Sequence, residues 1–204
     1  MNRLFYRLLV FFGKGPVYAV SRHFYGGRSH LSKVSGALLL SNHPHYFDSM
    51  MIMGASPRPV RWLSMTEVSE GPFRWFFRLI GAVPLRRGGR DSAATRTLIH
   101  LLKSGELIGA FPEGRIQTGD QSVVNGGPMG EGLIRLAALA DVPIIPCAVA
   151  GGEEFKRWQG WLPLRQTRWA VVFGDPIPPS PLASSELKAA LKELHRQAVD
   201  QLRS

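Results

Sequence analysis

The sequence has a single cysteine, Cys147, among 204 residues. An internal disulfide framework is therefore excluded, and a reducing compartment is expected. No acidic residue occurs before Asp48. No apolar run approaches the ~18–20 residues that a spanning helix needs, and Leu8–Phe12 is short for a signal-peptide core. Zinc-finger spacing, the aromatic signature of RNA-binding sheets and a basic helical run are all missing, so a nucleic-acid partner is not expected. Nor is there an internal repeat or a linker that would split the chain. What remains is an ordinary globular mix, 45% hydrophobic and 20% charged, which argues against disorder.

The charge is unevenly placed. Residues 1–90 hold 13 Lys and Arg against 3 acids, whereas residues 91–204 hold 12 of each, so the whole net charge of +10 belongs to the first part of the chain. A phosphate-bearing partner is the natural reading: a membrane surface or a phosphorylated substrate. The N-terminal MNRLFYRLLVFFGKGPVYAVSRHFYGG places Arg3 and Arg7 on one helical face beside Leu4, Leu8 and Phe11. Pro16 is expected to open a second helix reaching about Phe24. Basic residues among bulky aromatics suit a helix lying in the headgroup zone, and an amphipathic helix docked on the protein's own core is the alternative. Residues 1–30 are read as this membrane-docking segment and 31–204 as the main domain.

Downstream, apolar runs alternate with helical patterns. GALLLSN (Gly36–Asn42), PVRWLSM (Pro59–Met65), LIGAF (Leu107–Phe111), Pro143–Ala150 and Arg168–Gly174 read as strands. Helices are expected from Pro44 to about Met53, over Glu67–Leu79, from an Asp91 cap to Lys103, over Glu131–Ala140 and at the C-terminus. There Leu187, Leu191, Leu194, Ala198 and Leu202 form one stripe. The result is a single α/β domain with a mostly parallel sheet flanked by helices, preceded by an amphipathic, membrane-associating helical segment.

Three segments at strand ends carry chemistry, where ligands collect in open α/β sheets. In NHPHYFD, His43 and Asp48 are five apart. One continuous helix would set them about 140° apart. A turn at Pro44 instead lets the histidine fold back and donate a ring N–H to the carboxylate, the arrangement of a general base. A helix-capping Asp beside a surface His is the plain alternative, and a metal bound by His43, His45 and Asp48 is a third. In FPEGRIQTGD, Gly114 turns the chain sharply and leaves Glu113 and Arg115 at the rim. Arg115 suits bidentate phosphate binding, and Glu113 suits either a substrate hydroxyl or Arg115 itself. In GAVPLRRGGR, arginines among glycines suit an anion-binding loop, with a solvated basic loop as the plain alternative. No serine lies in a G-x-S-x-G elbow, and Cys147 lies in an apolar strand, so a covalent nucleophile is not expected.

In this order and spacing the segments resemble the glycerophospholipid acyltransferases, which include lysophosphatidate (1-acyl-glycerol-3-phosphate) acyltransferase. The H-x-x-x-x-D block is matched by His43 and Asp48, with Asn42 preceding. The Gly-Pro-Arg block is matched by Gly81, Pro84 and Arg86 or Arg87, the F-P-E-G block by Phe111–Gly114, and V-P-I-x-P by Val142, Pro143, Ile144 and Pro146. The likeness runs from about Gly36 to Gly174. It departs at Arg115, which follows Gly114 directly where many members read F-P-E-G-T-R-S. It departs again at NGGPMGEG, where many members carry a basic residue.

The resemblance implies an acyl thioester donor, on coenzyme A or acyl carrier protein, and a lysolipid hydroxyl as acceptor. His43 would take the hydroxyl proton and Asp48 would orient the imidazole. Arg86, Arg87 and Arg115 would hold the acceptor phosphate, with Glu113 and Gly114 shaping the pocket. It implies no metal and no redox cofactor. Lysophosphatidate is the expected acceptor; glycerol 3-phosphate, lysophosphatidylethanolamine and lyso-aminolipids stay open, as does a non-catalytic membrane-binding module of the same fold. The protein is expected to be peripheral or monotopic at the cytoplasmic face, docking through its N-terminus and through Gly71–Gly81, with an acyl-chain tunnel near Trp75 and Phe76.

Overall fold

A computed structural model describes residues 3–71, 74–85, 92–162 and 167–203. Seven strands form one sheet: β1 (Ser21–Gly26), β2 (Ala37–Ser41), β3 (Val60–Met65), β4 (Val83–Leu85), β5 (Leu107–Ala110), β6 (Ile144–Gly151) and β7 (Thr167–Phe173). Their order is β1-β7-β6-β2-β5-β3-β4, which puts β2 in the middle. From β6 to β4 all neighbours are parallel; β7 pairs antiparallel with β6 and parallel with β1. Each element anticipated between residues 36 and 174 as a strand is one.

The central strand shows why a parallel sheet reads as a continuous apolar run. Every residue of β2 is buried, and its side chains alternate between two cores. Ala37 and Leu39 join Trp62, Ile145 and Trp169 on the face covered by α1 (Arg3–Val20) and α2 (Asp48–Ala55). Leu38 and Leu40 join Ile108, Ile144 and Leu187 on the other face. Helices α5 (Ser92–Lys103), α6 (Gly132–Ala140) and α7 (Ala183–Arg203) cover that side. Two short helices, α3 (Thr66–Ser69) and α4 (Arg74–Leu79), stand where one helix was expected over Glu67–Leu79. Gly71, with its conformational freedom, follows the first of them; residues 72 and 73 lie outside the described residues. The expected Asp91 cap lies outside the described residues.

The N-terminal segment departs from expectation in a way that ties it to the domain. Pro16 lies inside α1 and does not open a second helix. The hydrogen bond that Pro16 cannot give would have gone to Phe12, and both residues are exposed, so water can serve that carbonyl. The chain from Ser21 then becomes β1, registered against β7 from Ser21↔Thr167 to Gly26↔Val172. Residues 21–26 are thus an edge of the seven-stranded sheet, on the N-terminal side of the expected division at residue 30. On α1, Tyr6, Val10, Gly13, Val17 and Val20 recur at helical spacing and face inward; Tyr6 and Val20 are buried. The Tyr6 hydroxyl accepts the Val60 N–H at 3.1 Å, which pins the helix to the start of β3. Leu4, Leu8, Phe11 and Phe12 stay exposed, so α1 is apolar on its outer face as well. Among the described residues no helix is long and apolar enough to cross a membrane.

Some of the basic charge is structural. The Arg58 guanidinium donates to the carbonyls of Leu31, Val34, Ser35 and Gly105, stapling the approach to β2 onto the approach to β5.

Candidate active site

The parallel strands β2, β5 and β6 run in one direction, so their C-terminal ends share one edge of the sheet. His43 follows β2, Phe111–Arg115 follow β5, and Gly151 ends β6. Three segments far apart in sequence are thereby brought together, as the crossover topology of an open α/β sheet requires.

Asn42 anchors the first segment. Its side chain, almost fully buried, donates Nδ2–H to the Val149 carbonyl at 2.9 Å and accepts the Val149 N–H at 2.8 Å through Oδ1. A side-chain amide therefore continues the β2–β6 ladder one step beyond Ser41 and leaves the backbone free to turn. The turn carries His43 out to the rim and returns at Asp48, the first residue of α2. The helix begins at Asp48 and not at Pro44, because the Asp48 carboxylate accepts the His45 N–H at 2.9 Å and closes the turn.

His43 Nδ1 lies 2.8 Å from Asp48 Oδ2. The His43 side chain is 18% exposed and that of Asp48 is wholly buried. With Nδ1 donating to the carboxylate, the neutral ring keeps its lone pair on Nε2, which has no protein partner among the described residues. The ring lies flat on Phe111, centroids 3.8 Å apart and planes 8° apart, and Phe111 in turn stacks on Trp62 at 4.8 Å. Two contacts therefore fix the imidazole, one in its plane and one on its face.

Glu113 holds the backbone of this site. Oε2 accepts the His43 N–H at 2.8 Å; Oε1 accepts the Ser122 hydroxyl at 2.9 Å and the Val123 N–H at 2.8 Å. Burial pushes the Glu113 carboxyl above its usual range, against the pull of the hydrogen bonds from Val123, Ser122 and His43. Its oxygens are thus engaged by the chain itself, and among the described residues it forms no ion pair with Arg115. Gly114 takes φ +69°, with open space where a Cβ would stand, so backbone conformation and not crowding favours glycine there. Arg115 is exposed at the same rim. Arg86 and Arg87 follow β4, whose end at Leu85 shares this edge, but they lie outside the described residues.

The remaining candidates are not placed for nucleophilic chemistry. Cys147 is completely buried in β6, and burial pushes its thiol well above the ordinary range. Ser41 is buried and donates to the Asn42 carbonyl. His43, His45 and Asp48 do meet, but both Nδ1 atoms are turned onto the carboxylate. Among the described residues no group of three His, Cys, Asp or Glu side chains is arranged to hold a metal ion.

A sequence profile of the family described as Acyltransferase matches residues 22–150, from β1 to the penultimate residue of β6. The chain belongs to the acyltransferase family. Its relatives include the 1-acyl-sn-glycerol-3-phosphate acyltransferase of Bacillus subtilis (strain 168), 24% identical over 182 residues, covering 86% of this chain and 85% of the other. An uncharacterized protein of Mycobacterium tuberculosis is 26% identical over 199 residues, but this chain spans only 53% of its length. Among solved structures, the 1-acyl-sn-glycerophosphate (LPA) acyltransferase PlsC from Thermotoga maritima shares the fold. Its TM-score is 0.71 at 21% identity, with 98% of this chain and 80% of that one covered.

Within this acyltransferase the motif spacing did not reveal that His45 touches the same carboxylate as His43, or that Glu113 serves the His43 backbone. It also missed the Phe111 stack. An acyl-chain tunnel was expected near Trp75 and Phe76; the structure also has an apolar cavity of about 340 Å³ in another place. Trp75 is 63% exposed. The cavity sits between α1 and α2, lined by Val10, Gly13, Met50, Met53, Gly54 and Trp161 among others.

Proposed function

We propose that this acyltransferase moves a fatty acyl group from an acyl-CoA or acyl carrier protein thioester to a hydroxyl of a phosphate-bearing lysolipid, with 1-acyl-glycerol-3-phosphate giving phosphatidate as the leading case. The observation that carries the reading is the His43–Asp48 pair: an imidazole clamped at Nδ1 by a buried carboxylate, with Nε2 facing out from the end of the central strand. The name of the Bacillus relative supports the choice of acceptor.

In this reading the acceptor hydroxyl gives its proton to His43 Nε2 as its oxygen attacks the thioester carbonyl carbon. The carbonyl π pair moves to oxygen, making a tetrahedral oxyanion. The oxyanion collapses, the C–S bond breaks, and the thiolate leaves with the proton that His43 returns. Asp48 holds the ring and stabilises the imidazolium formed in between. The hydroxyl is itself the nucleophile and the thioester is already activated, so the chemistry calls for no covalent enzyme intermediate and no metal or redox cofactor.

Arg115 holds the acceptor phosphate in this scheme, together with Arg86 and Arg87, and Gly114 lets the chain turn beneath it. Arg115→Ala is expected to raise the acceptor KM by about tenfold to a hundredfold, the worth of a charge-assisted hydrogen bond, with kcat changed less. A rise confined to the thioester KM would remove Arg115 from the acceptor site. The decisive assay uses purified protein, labelled acyl-CoA and acyl-ACP, and a panel comprising lysophosphatidate, glycerol 3-phosphate, lysophosphatidylethanolamine and a lyso-aminolipid. Phosphatidate as the dominant product is expected; transfer to none of them would favour an idle membrane-binding module.

The cavity between α1 and α2 suits the acyl chain, in size and in its apolar lining. Gly13 lines it, and a Cβ there would meet only the Met50 Cε, at 4.0 Å. Gly13→Leu leaves the helix intact, since leucine is the better helix former, and is expected to shorten the preferred acyl chain. An unchanged preference across C8 to C18 donors would place the chain elsewhere. The exposed Leu4, Leu8, Phe11 and Phe12 beside Arg7 give α1 an outer face suited to the lipid headgroup zone, with exposed Trp75 and Arg74 as a second contact. Peripheral or monotopic docking at the cytoplasmic face follows from this reading.

A further inference from the structure

We infer that His45 is a positioning residue of this site: a buried imidazolium that bridges Asp48 to the Gly151 carbonyl and divides the carboxylate's charge between two histidines. The inference rests on the reading of His43 as the base. It starts from donor counting. His45 Nε2 lies 3.0 Å from the Gly151 carbonyl oxygen, an acceptor only, so that nitrogen carries a hydrogen. Nδ1 lies 2.7 Å from Asp48 Oδ1, and the ring is wholly buried. A neutral imidazole has one N–H, and its second nitrogen would turn a lone pair onto a carboxylate oxygen. With both nitrogens protonated, Nε2–H is hydrogen-bonded to Gly151 and the Nδ1 contact becomes an ion pair of opposite charges, one that is close but not aligned as a hydrogen bond.

The surroundings were shaped for that ring. The chain leaves β6 through Gly151 (φ +75°) and Gly152 (φ +85°), two consecutive left-handed residues. A Cβ at Gly152 would come within 2.9 Å of His45 Nε2 and 2.5 Å of the Met51 Cε, so no larger residue fits beside the bridge. Charge balance points the same way. Asp48 is wholly buried, and with His45 neutral it would be an uncompensated buried carboxylate. Burial alone pushes the His45 pKa down; the hydrogen bond and charge of Asp48, the Gly151 carbonyl and the charge of Glu153 outweigh it, and the net shift is upward. The other titratable groups around the bridge are few. His43 sits across Asp48, the Cys147 thiol from β6 feels the Asp48 charge, the Lys156 Nζ lies 3.5 Å from the Pro44 carbonyl, and His195 of α7 feels Glu153.

Two consequences follow. A protonated His45 stabilises the fold fully below the ordinary imidazole pKa of about 6.5, and that contribution is lost as pH rises through the raised folded value. For the reaction, the imidazolium balances the Asp48 charge while Oδ2 still accepts the His43 Nδ1–H. Without that imidazolium, as in a His45 variant, the His43 ring would face an unshared negative charge, which favours the charged form of a neighbouring imidazole.

The test uses the full chain. Nitrogen-15 imidazole spectra are expected to show His45 protonated on both ring nitrogens through pH 7; a neutral His45 there would overturn the inference, whatever any variant does. In His45→Gln the acid limb of the pH–kcat/KM profile is expected to move up by roughly one unit, about a tenfold loss below the limb, with recovery at higher pH. A folded variant with the wild-type limb, or with a loss uniform across pH, would also overturn it. Full activity in His43→Ala would instead sink the assignment of the base and leave the His45 spectrum as it was.

Discussion

Replacing His43 by alanine is expected to lower acyl transfer by about a thousandfold, within the range attributed to a positioned general base, while vesicle binding and thermal stability change little. The side chain is partly exposed, and its structural contacts are one hydrogen bond and one stacked ring, so the fold loses a small share of its support. Both kinetic parameters of the chemistry should fall together, because the proton transfer belongs to the transition state and not to binding. Buffered imidazole added to the variant is a further probe, since the cleared space lies at the rim. Retained transfer would mean that another group removes the hydroxyl proton.

The second large effect is expected at Glu113, whose carboxylate is taken up by donors of the chain itself. Its two oxygens collect three donors, from His43, Ser122 and Val123. In Glu113→Gln one oxygen becomes an amide NH₂. If the remaining oxygen keeps Ser122 and Val123, the NH₂ faces the His43 N–H, donor against donor. The turn that presents His43 then loosens. A fall in kcat of about 10- to 100-fold is expected, of the order lost when a reacting group is misplaced by about 1 Å, with acceptor KM nearly unchanged. Glu113→Ala strands all three donors, each costing about 1–3 kcal/mol where burial keeps water out, and should lower the denaturation midpoint as well. A selective rise in acceptor KM for Glu113→Gln would show instead that the carboxylate contacts the substrate directly. Measuring kcat, KM and thermal stability on both variants separates the two roles.

These two residues show how differently a motif can be read. His43 and Asp48 could be paired from the sequence because a turn at Pro44 lets the imidazole fold back onto the carboxylate; a capping Asp and a metal site stayed open there, and it was the family resemblance that implied a base. Glu113 was legible as a member of its motif but not in its task. The strand before it ends beside β2, and only that pairing puts its carboxylate under the His43 N–H. His45 was visible two residues from His43, with no sign that it would be the more buried of the two. At Pro16 local propensity misled: the proline sits on the solvent side, where one lost helix bond costs little, and the inward stripe from Tyr6 to Val20 carries the helix through it.

Sequence alone determined the α/β class, the apolar strands, the order of the motifs and the concentration of positive charge before residue 91, because these depend on periodicity and composition within short windows. Tertiary structure alone decided that Ser21–Gly26 joins the sheet beside β7, that an apolar cavity opens between α1 and α2, and that two histidines share one carboxylate. Each of those depends on which strand lies next to which and on where a buried charge finds its partner. The strand pairing and the cavity join residues tens to more than a hundred positions apart; the two histidines are local to Asp48, but their unequal burial depends on β6, whose Gly151 carbonyl meets His45.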